Sequence, residues 1–187
     1  MKRSEINAVI ASATSIFERH GWTLPPNPKW DITDFGRGDF SKFGLTLVNL
    51  CEEPEYCEKL MVAWKGQHIF AHSHNAKKED IISRFGVLAI QVWNNPERKS
   101  GERFKLQVNC TPRQVVSGDI VYLRSGERVT LVPGVYHAFW SVGDYCVIGE
   151  VSTANDDVND NVFLDEVGRF PTVEEDVPPL AKLISED

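Results

Sequence analysis

The stretch Gly66-Gln67-His68-Ile69-Phe70-Ala71-His72-Ser73-His74-Asn75-Ala76-Lys77-Lys78-Glu79, closing on Gly86, constrains this chain more than any other, because it sets three potential metal ligands within eight residues. In an extended strand, side chains two apart leave the same face, so His72 and His74 converge. A turn through the polar residues 75 to 78 lets the next strand return the Glu79 carboxylate beside them. A second segment punctuated by Gly126 and Gly134 leads to His137, which adds a fourth ligand if its strand is a neighbour. Imidazole nitrogens with one hard carboxylate oxygen suit a divalent first-row ion such as Mn2+, Fe2+, Co2+, Ni2+ or Zn2+, and an octahedral ion keeps two positions for substrate or water.

Two histidines in a strand are, taken alone, more often solvated residues than ligands. The spacing changes the balance. A glycine, five residues, His-x-His, four residues, Glu, six residues and a glycine is the first motif of the cupin family, and the segment from Gly66 to Gly86 meets every fixed position. The second segment resembles that family's second motif, with Gly126 and Gly134 eight apart and His137 three beyond. It departs in two places. Pro133 stands one residue later than the family's usual proline, at Val132, and Ser141 replaces a closing Asn. Neither departure touches His72, His74, Glu79 or His137.

Composition narrows the class. A chain of 187 residues with 42% hydrophobic content and no low-complexity tract is one domain's worth of sequence and can bury a core of its own. No segment has the apolar length of a membrane span, and the N-terminus lacks a signal-peptide core, so the cytoplasm is the expected location. Cys51, Cys57, Cys110 and Cys146 form no Cys-x-x-Cys pair, which predicts reduced thiols and no structural zinc knuckle. The net charge of -7 argues against a nucleic-acid surface, and the acid is concentrated after residue 150. Prolines 171, 178 and 179 make that acidic segment an extended strap rather than a helix.

Along the chain, Ile6, Val9, Ile10, Ala13, Ile16 and Phe17 recur at helical spacing behind Ser4 as candidate N-cap, predicting a helix over 4–20 that Gly21 ends. His20 fits a C-terminal cap. Leu24-Pro25-Pro26-Asn27-Pro28 then crosses the surface. The rest reads as β, with candidate strands at 44–50, 58–64, 68–74, 87–92, 104–108, 119–123, 128–132, 136–140 and 145–151. His68 shares the parity of His72 and His74 but stands at the start of its strand, which suggests the barrel rim. The expected fold is all-β: a single cupin domain over 1–187, a double-stranded β-helix or jelly-roll barrel at about 40–152, with the N-terminal helix and a C-terminal acidic strap over 153–187.

Further segments resemble the D-lyxose isomerases, cupin-type sugar ketol-isomerases. They are Met1-Lys2-Arg3-Ser4-Glu5-Ile6-Asn7, Trp30 to Gly36, Tyr56-Cys57-Glu58-Lys59-Leu60-Met61, Pro133 to Trp140, Gly149-Glu150-Val151-Ser152, Asn155-Asp156-Asp157, and Asp160-Asn161 through Gly168-Arg169-Phe170-Pro171. The resemblance implies a cytoplasmic homodimer that uses a divalent metal, Mn2+ foremost, to interconvert D-lyxose and D-xylulose, with D-mannose and D-fructose next. One departure lies among the ligands: Ala71, Ser73 and Asn75 stand where the family carries large residues, and strand alternation turns them away from the ligand face.

Isomerisation needs a base that the metal does not neutralise. Glu150, Asp165 and Glu166 are the candidates, each alternatively a surface acid, and the sequence does not choose among them. Lys59 falls on the family's lysine and is placed to neutralise enediolate charge. Arg169 either binds substrate hydroxyls or, more in keeping with its surroundings, pairs with the acidic strap. Tyr136, Phe139 and Trp140 read as barrel core. The competing functions are a cupin dioxygenase using the same ligands for O2 chemistry and a non-catalytic sugar-binding cupin.

Overall fold

The computed structural model describes residues 1–153, 155, 156 and 159–186; Asp157 of the Asn155-Asp156-Asp157 segment and the last residue of the strap lie outside the described residues. It opens with helix α1, Arg3–Arg19, whose Ile6, Ile10, Ala13, Ile16 and Phe17 form one buried face. Gly21 closes the helix at φ +79°, with the Trp22 amide returning to the Phe17 carbonyl at 2.9 Å. The helix does not start on Ser4 as cap; Lys2 is the residue before the first turn. The reason is tertiary. The Arg3 amide donates to the Glu174 carbonyl at 2.9 Å, and the Ser4 amide and hydroxyl both donate to the Asp176 carboxylate, at 2.9 and 2.6 Å. The chain's far end thus satisfies first-turn donors that a local cap otherwise would.

Thirteen strands among the described residues form two antiparallel sheets. The larger runs in the spatial order β1 (Lys29–Thr33), β2 (Leu45–Glu52), β3 (Tyr56–Trp64), β12 (Tyr145–Thr153), β5 (Glu79–Phe85), β10 (Arg128–Leu131), β7 (Arg103–Val108) and β8 (Thr111–Val116). The smaller runs β13 (Asn161–Phe163), β4 (His72–His74), β11 (Tyr136–Ser141), β6 (Val87–Trp93) and β9 (Ile120–Arg124). Their inner faces share one core: Leu47, Met61, Ile81, Leu106, Val129 and Ile148 from the larger sheet meet Leu88, Ile90, Val92, Leu123 and Phe139 from the smaller. This is the all-β cupin architecture with an N-terminal helix. The other face of the larger sheet is covered by α1 through Trp30, Ile32, Val48, Leu60, Val62 and Val147, so β2, β3 and β12 are apolar on both faces. Because both parities are buried there, these strands read as continuous hydrophobic runs. No helix among the described residues is long and apolar enough to cross a membrane.

Several elements differ from the periodicity reading. Strand β1 was hidden behind prolines 25, 26 and 28, and β8 by Pro112, which is tolerated because β8 is the sheet's edge. The expected strand over 68–74 shrinks to His72–His74. The His68 amide bonds to the Lys42 carbonyl at 2.9 Å in a turn around Gly66, and its ring stacks on Trp140 at 4.2 Å instead of sharing the face of His72. A short helix α2, Phe40–Phe43, precedes that turn's partner strands.

Prolines keep the strap extended, and it runs over the molecule in two parts. Strand β13 ladders onto β4, with Asn161 opposite His74 and Phe163 opposite His72. Beyond it, Arg3, almost wholly buried, pairs with Glu175 at 2.5 Å and with Glu186. The hydrogen bond from Arg3 lowers the pKa of Glu175, and bonds from Ser4 lower that of Asp176. A carboxyl depressed in the folded state contributes stability that is complete above its unfolded value, near pH 4, and is lost as pH falls through the folded value. Acidification below about pH 4 is therefore expected to release residues 172–186 from α1 before the barrel opens. Hydrogen exchange at the Arg3 and Glu174 amides followed against pH is the measurement; loss of protection only together with the barrel strands would contradict it.

Candidate metal centre and its cavity

Register and turn bring the ligand candidates together. In the smaller sheet His72 of β4 lies directly opposite His137 of β11. The turn after His74 crosses to the larger sheet, where β5 begins on Glu79 and points it inward with Ile81. The ligating atoms of His72, His74 and His137 all lie within 4.8 Å of one another. Glu79 Oε1 is 3.3 Å from His74 Nε2 and 3.1 Å from His137 Nε2. His72 Nδ1 faces the Phe70 carbonyl at 2.8 Å and His137 Nδ1 the Val135 carbonyl at 3.2 Å. A carbonyl only accepts, so these rings carry their proton on Nδ1 and turn the Nε2 lone pair to the centre.

The donor set passes a direct test of fit to a cation. His74 Nε2 and Glu79 Oε1 are buried and make no aligned hydrogen bond, a costly state for polar atoms unless another group satisfies them. Three nitrogens and one carboxylate oxygen are the donors a divalent first-row ion takes. Burial, and then the neighbouring His137 and His74, hold His72 well below the usual imidazole range, so its ring is neutral and ready to ligate. Burial alone would raise the Glu79 pKa; the Lys77 ammonium, with His74 and His137, overcomes this and holds the carboxyl well below its usual range.

The same cavity holds a second set of charges. Lys59 and Glu150 are cross-strand partners on β3 and β12, both facing inward. The Lys77 ammonium bridges two carboxylates, 3.0 Å from Glu150 Oε1 and 3.1 Å from Glu79 Oε2. Burial disfavours its charge, but Glu150 and Glu79 raise its pKa above the ordinary lysine range. Lys59 Nζ lies 3.9 Å from Glu150 Oε1 and donates to Asn155 Oδ1 at 2.7 Å. Arg169 also lines the cavity, and its guanidinium donates to both oxygens of Asp31 on β1, at 3.2 and 2.6 Å. Its guanidinium also lies over the ring of Phe170, 4.8 Å from the centroid. Phe35, Met61, Phe139 and Phe163 add apolar lining to the same cavity.

Of the three carboxylates considered as base, only Glu150 lies in this cavity. Asp165 pairs with Arg98 on the outer side of the smaller sheet, beside Trp93 and His68. Glu166 is exposed, and its carbonyl accepts from Arg37 at 2.6 Å. Ala71, Ser73 and Asn75 do not line the cavity; Ala71 packs with Trp93 and Ala138 on the outer face. Lys77, Asp160, Asn161 and Phe163 were missed in the sequence. Lys77 shares parity with Glu79 and Ile81, a signal available in the chain; the others arrive by a long-range crossing that no local pattern marks.

Residues 27–187 match the family model described as D-lyxose isomerase. The chain belongs to the D-lyxose isomerase family. Among its relatives, the D-lyxose/D-mannose isomerase of Escherichia coli O157:H7 is 32% identical, with 100% of this chain and 98% of the relative covered. That of Serratia proteamaculans is 33% identical over 96% of this chain and 94% of its own. Among solved structures, the L-ribose isomerase of Cellulomonas parahominis with L-psicose superposes with a TM-score of 0.73 at 18% identity, covering 93% of this chain and 98% of that one. At that identity the likeness establishes the shared cupin fold.

The bridging position of Lys77 generates a stability prediction. Lys77→Met leaves two buried carboxylates near each other without their shared cation, and breaking a buried ion pair from one side costs on the order of 3–5 kcal/mol. Chemical unfolding of the chelated protein should show a loss of that order. A change below about 1 kcal/mol, the range of surface pairs, would mean that water already screens the cluster.

Proposed function

We propose that this chain is a metal-dependent aldose-ketose isomerase, with D-lyxose and D-xylulose as the first pair and D-mannose and D-fructose as the second. Family membership supports the reaction class. The observation that carries the mechanism is Glu150, a buried carboxylate in the candidate metal cavity, outside the ligand set and flanked by Lys59 and Lys77.

His72, His74, Glu79 and His137 would hold a divalent ion, Mn2+ foremost and Co2+, Fe2+, Ni2+ or Zn2+ otherwise, which when bound supplies Lewis acidity to the carbonyl and hydroxyl oxygens of an open-chain sugar. Glu150 removes the proton from C2 of the aldose and returns it to C1, while the hydroxyl proton passes from O2 to O1, so an enediol links the two sugars and no atom is gained or lost. Lys59 and Lys77 flank Glu150 and offset the negative charge that develops on the sugar oxygens. Arg169, held by Asp31 and lining the cavity, would meet substrate hydroxyls, and Phe35, Phe139 and Phe163 would take the carbon face. Asp165 and Glu166, outside the cavity, have no part.

The Mn2+-loaded protein is expected to convert D-lyxose to D-xylulose without O2. Glu150→Gln should lower turnover about a hundredfold or more while metal content stays constant, the size general acid-base catalysis supports. His74→Ala should strip the metal by elemental analysis. O2 consumption with every one of these sugars left unchanged would replace this function with the dioxygenase alternative.

The assembly proposed is a homodimer. Strand β9 is an open sheet edge that exposes Ile120 and Tyr122, an arrangement soluble proteins usually cover. Sedimentation should give twice the 21.1 kDa chain mass, and Tyr122→Lys should shift it toward one chain. A wild-type protein sedimenting as a single chain at micromolar concentration overturns the assignment.

A further inference from the structure

We propose that Asp160 is a positioning residue for the metal centre: its carboxylate, delivered by the C-terminal segment, sets the ring of His74 and the turn carrying Lys77 and Glu79, so that metal binding and the seating of that segment are one coupled event. This rests on the metal assignment above.

Asp160 is only 8% exposed, and a buried carboxylate persists only where donors surround it. Its donors come from the loop between two ligand candidates. Oδ1 accepts the Ala76 amide at 2.7 Å and Oδ2 the Lys77 amide at 3.2 Å, while its backbone carbonyl accepts the Asn75 amide at 3.0 Å. Oδ2 also lies 3.3 Å from His74 Nδ1, short of the alignment of a full hydrogen bond. An ionised carboxylate has no proton to give, so it favours the His74 tautomer with its proton on Nδ1 and the Nε2 lone pair toward Glu79. His72 and His137 receive the same service from carbonyls two residues back on their own chain segment, at Phe70 and Val135. His74 differs: its Nδ1 partner arrives from a segment 84 residues beyond the turn it holds.

A coupling follows from that difference. Asn161 and Phe163 pair with His74 and His72, and the Leu164 amide donates to the Ala71 carbonyl at 2.9 Å, so the segment bearing Asp160 is laddered directly onto the ligand strand. Whatever favours His74 in its ligating orientation favours the seated segment, and linkage makes the effect reciprocal. An asparagine cannot take the place of Asp160, because its amide presents N–H to at least one of three donors that need an acceptor.

The test uses the full chain as wild type, Asp160→Asn, Asp160→Ala and, as a control, Asn75→Ala, which removes a contact to the Asn159 carbonyl but leaves the Asp160 carboxylate in place. Mn2+ and Zn2+ affinities are measured by chelator competition. The 15N signals of the histidine rings are read in the chelated proteins, and amide exchange at Leu164 with and without metal. Asp160→Asn should bind metal about 10- to 100-fold more weakly, the range for residues that orient metal ligands. Asn75→Ala should bind within a few-fold of wild type. The His74 ring should be protonated on Nδ1 in wild type and redistribute in Asp160→Asn, with His72 and His137 unchanged, and metal should slow exchange at Leu164. Wild-type affinity in Asp160→Asn, a wild-type His74 protonated on Nε2, or Leu164 exchange indifferent to metal overturns the proposal. If Asp160→Ala does not fold, Asp160→Asn and the wild-type ring signals still decide. A wild-type chain that binds neither ion defeats the metal assignment instead, and the ring signals then judge Asp160 separately.

Discussion

One ammonium group, that of Lys77, makes the rest of the site possible. It sits between the carboxylates of Glu79 and Glu150, in a cavity from which water is largely excluded. Without a cation there, two buried carboxylates would face each other with no shared counter-charge between them. The proposed chemistry needs both charged: Glu79 to ligate, Glu150 to accept a proton. A buried ion cluster contributes little net stability, because desolvation offsets attraction. Its value here lies in placing a candidate ligand and the proposed base side by side with a cation between them.

That cluster depends on a scaffold that is rigid on both sides. Strands β3, β12 and β5 carry Lys59, Glu150 and Glu79 in neighbouring register positions, and β3 and β12 are packed from outside by α1. The helix in turn is tied to the chain's far end through Arg3, Ser4 and the acidic strap. An acidic C-terminus reads from composition as a solvated tail. In the fold its charges are local: Glu175 and Asp176 meet the start of α1, Asp160 meets the turn after His74, and Arg169 lines the cavity.

The clustering of the candidate metal ligands was legible in the sequence for a definite reason. His72 and His74 share one strand face, Glu79 follows a turn short enough to fix its return, and glycines at 66, 86, 126 and 134 all take positive φ, where side chains are disfavoured. Local geometry therefore determined local spacing. The base was not legible, because Glu150, Asp165 and Glu166 differ only in which side of a sheet they reach. Strand β12 places Glu150 inside by parity with Ile148 and Cys146, whereas the irregular path after Phe163 carries Asp165 out to Arg98. Helix α1 was legible through its apolar period, and its first residue was not, because residues 174 and 176 set it from across the molecule.

The altered residues around the histidines bear on specificity less than their position suggests. Ala71, Ser73 and Asn75 alternate away from the ligand face, and the small side chain of Ala71 meets Trp93 and Ala138 across the outer surface. The cavity is lined from elsewhere: Phe35 from the loop after β1, Phe139 from β11, Phe163 and Arg169 from the C-terminal segment. Two of these four share a segment with Asp160. Discrimination among aldoses in such a pocket rests on where hydroxyls meet Arg169 and where carbon meets phenylalanine. A site that hydrogen-bonds a hydroxyl rejects its epimer far more strongly than an apolar wall can. On the proposed function, the seating of the C-terminal segment would shape the sugar space as well as set His74, because Phe163, Arg169 and Asp160 all come from that segment.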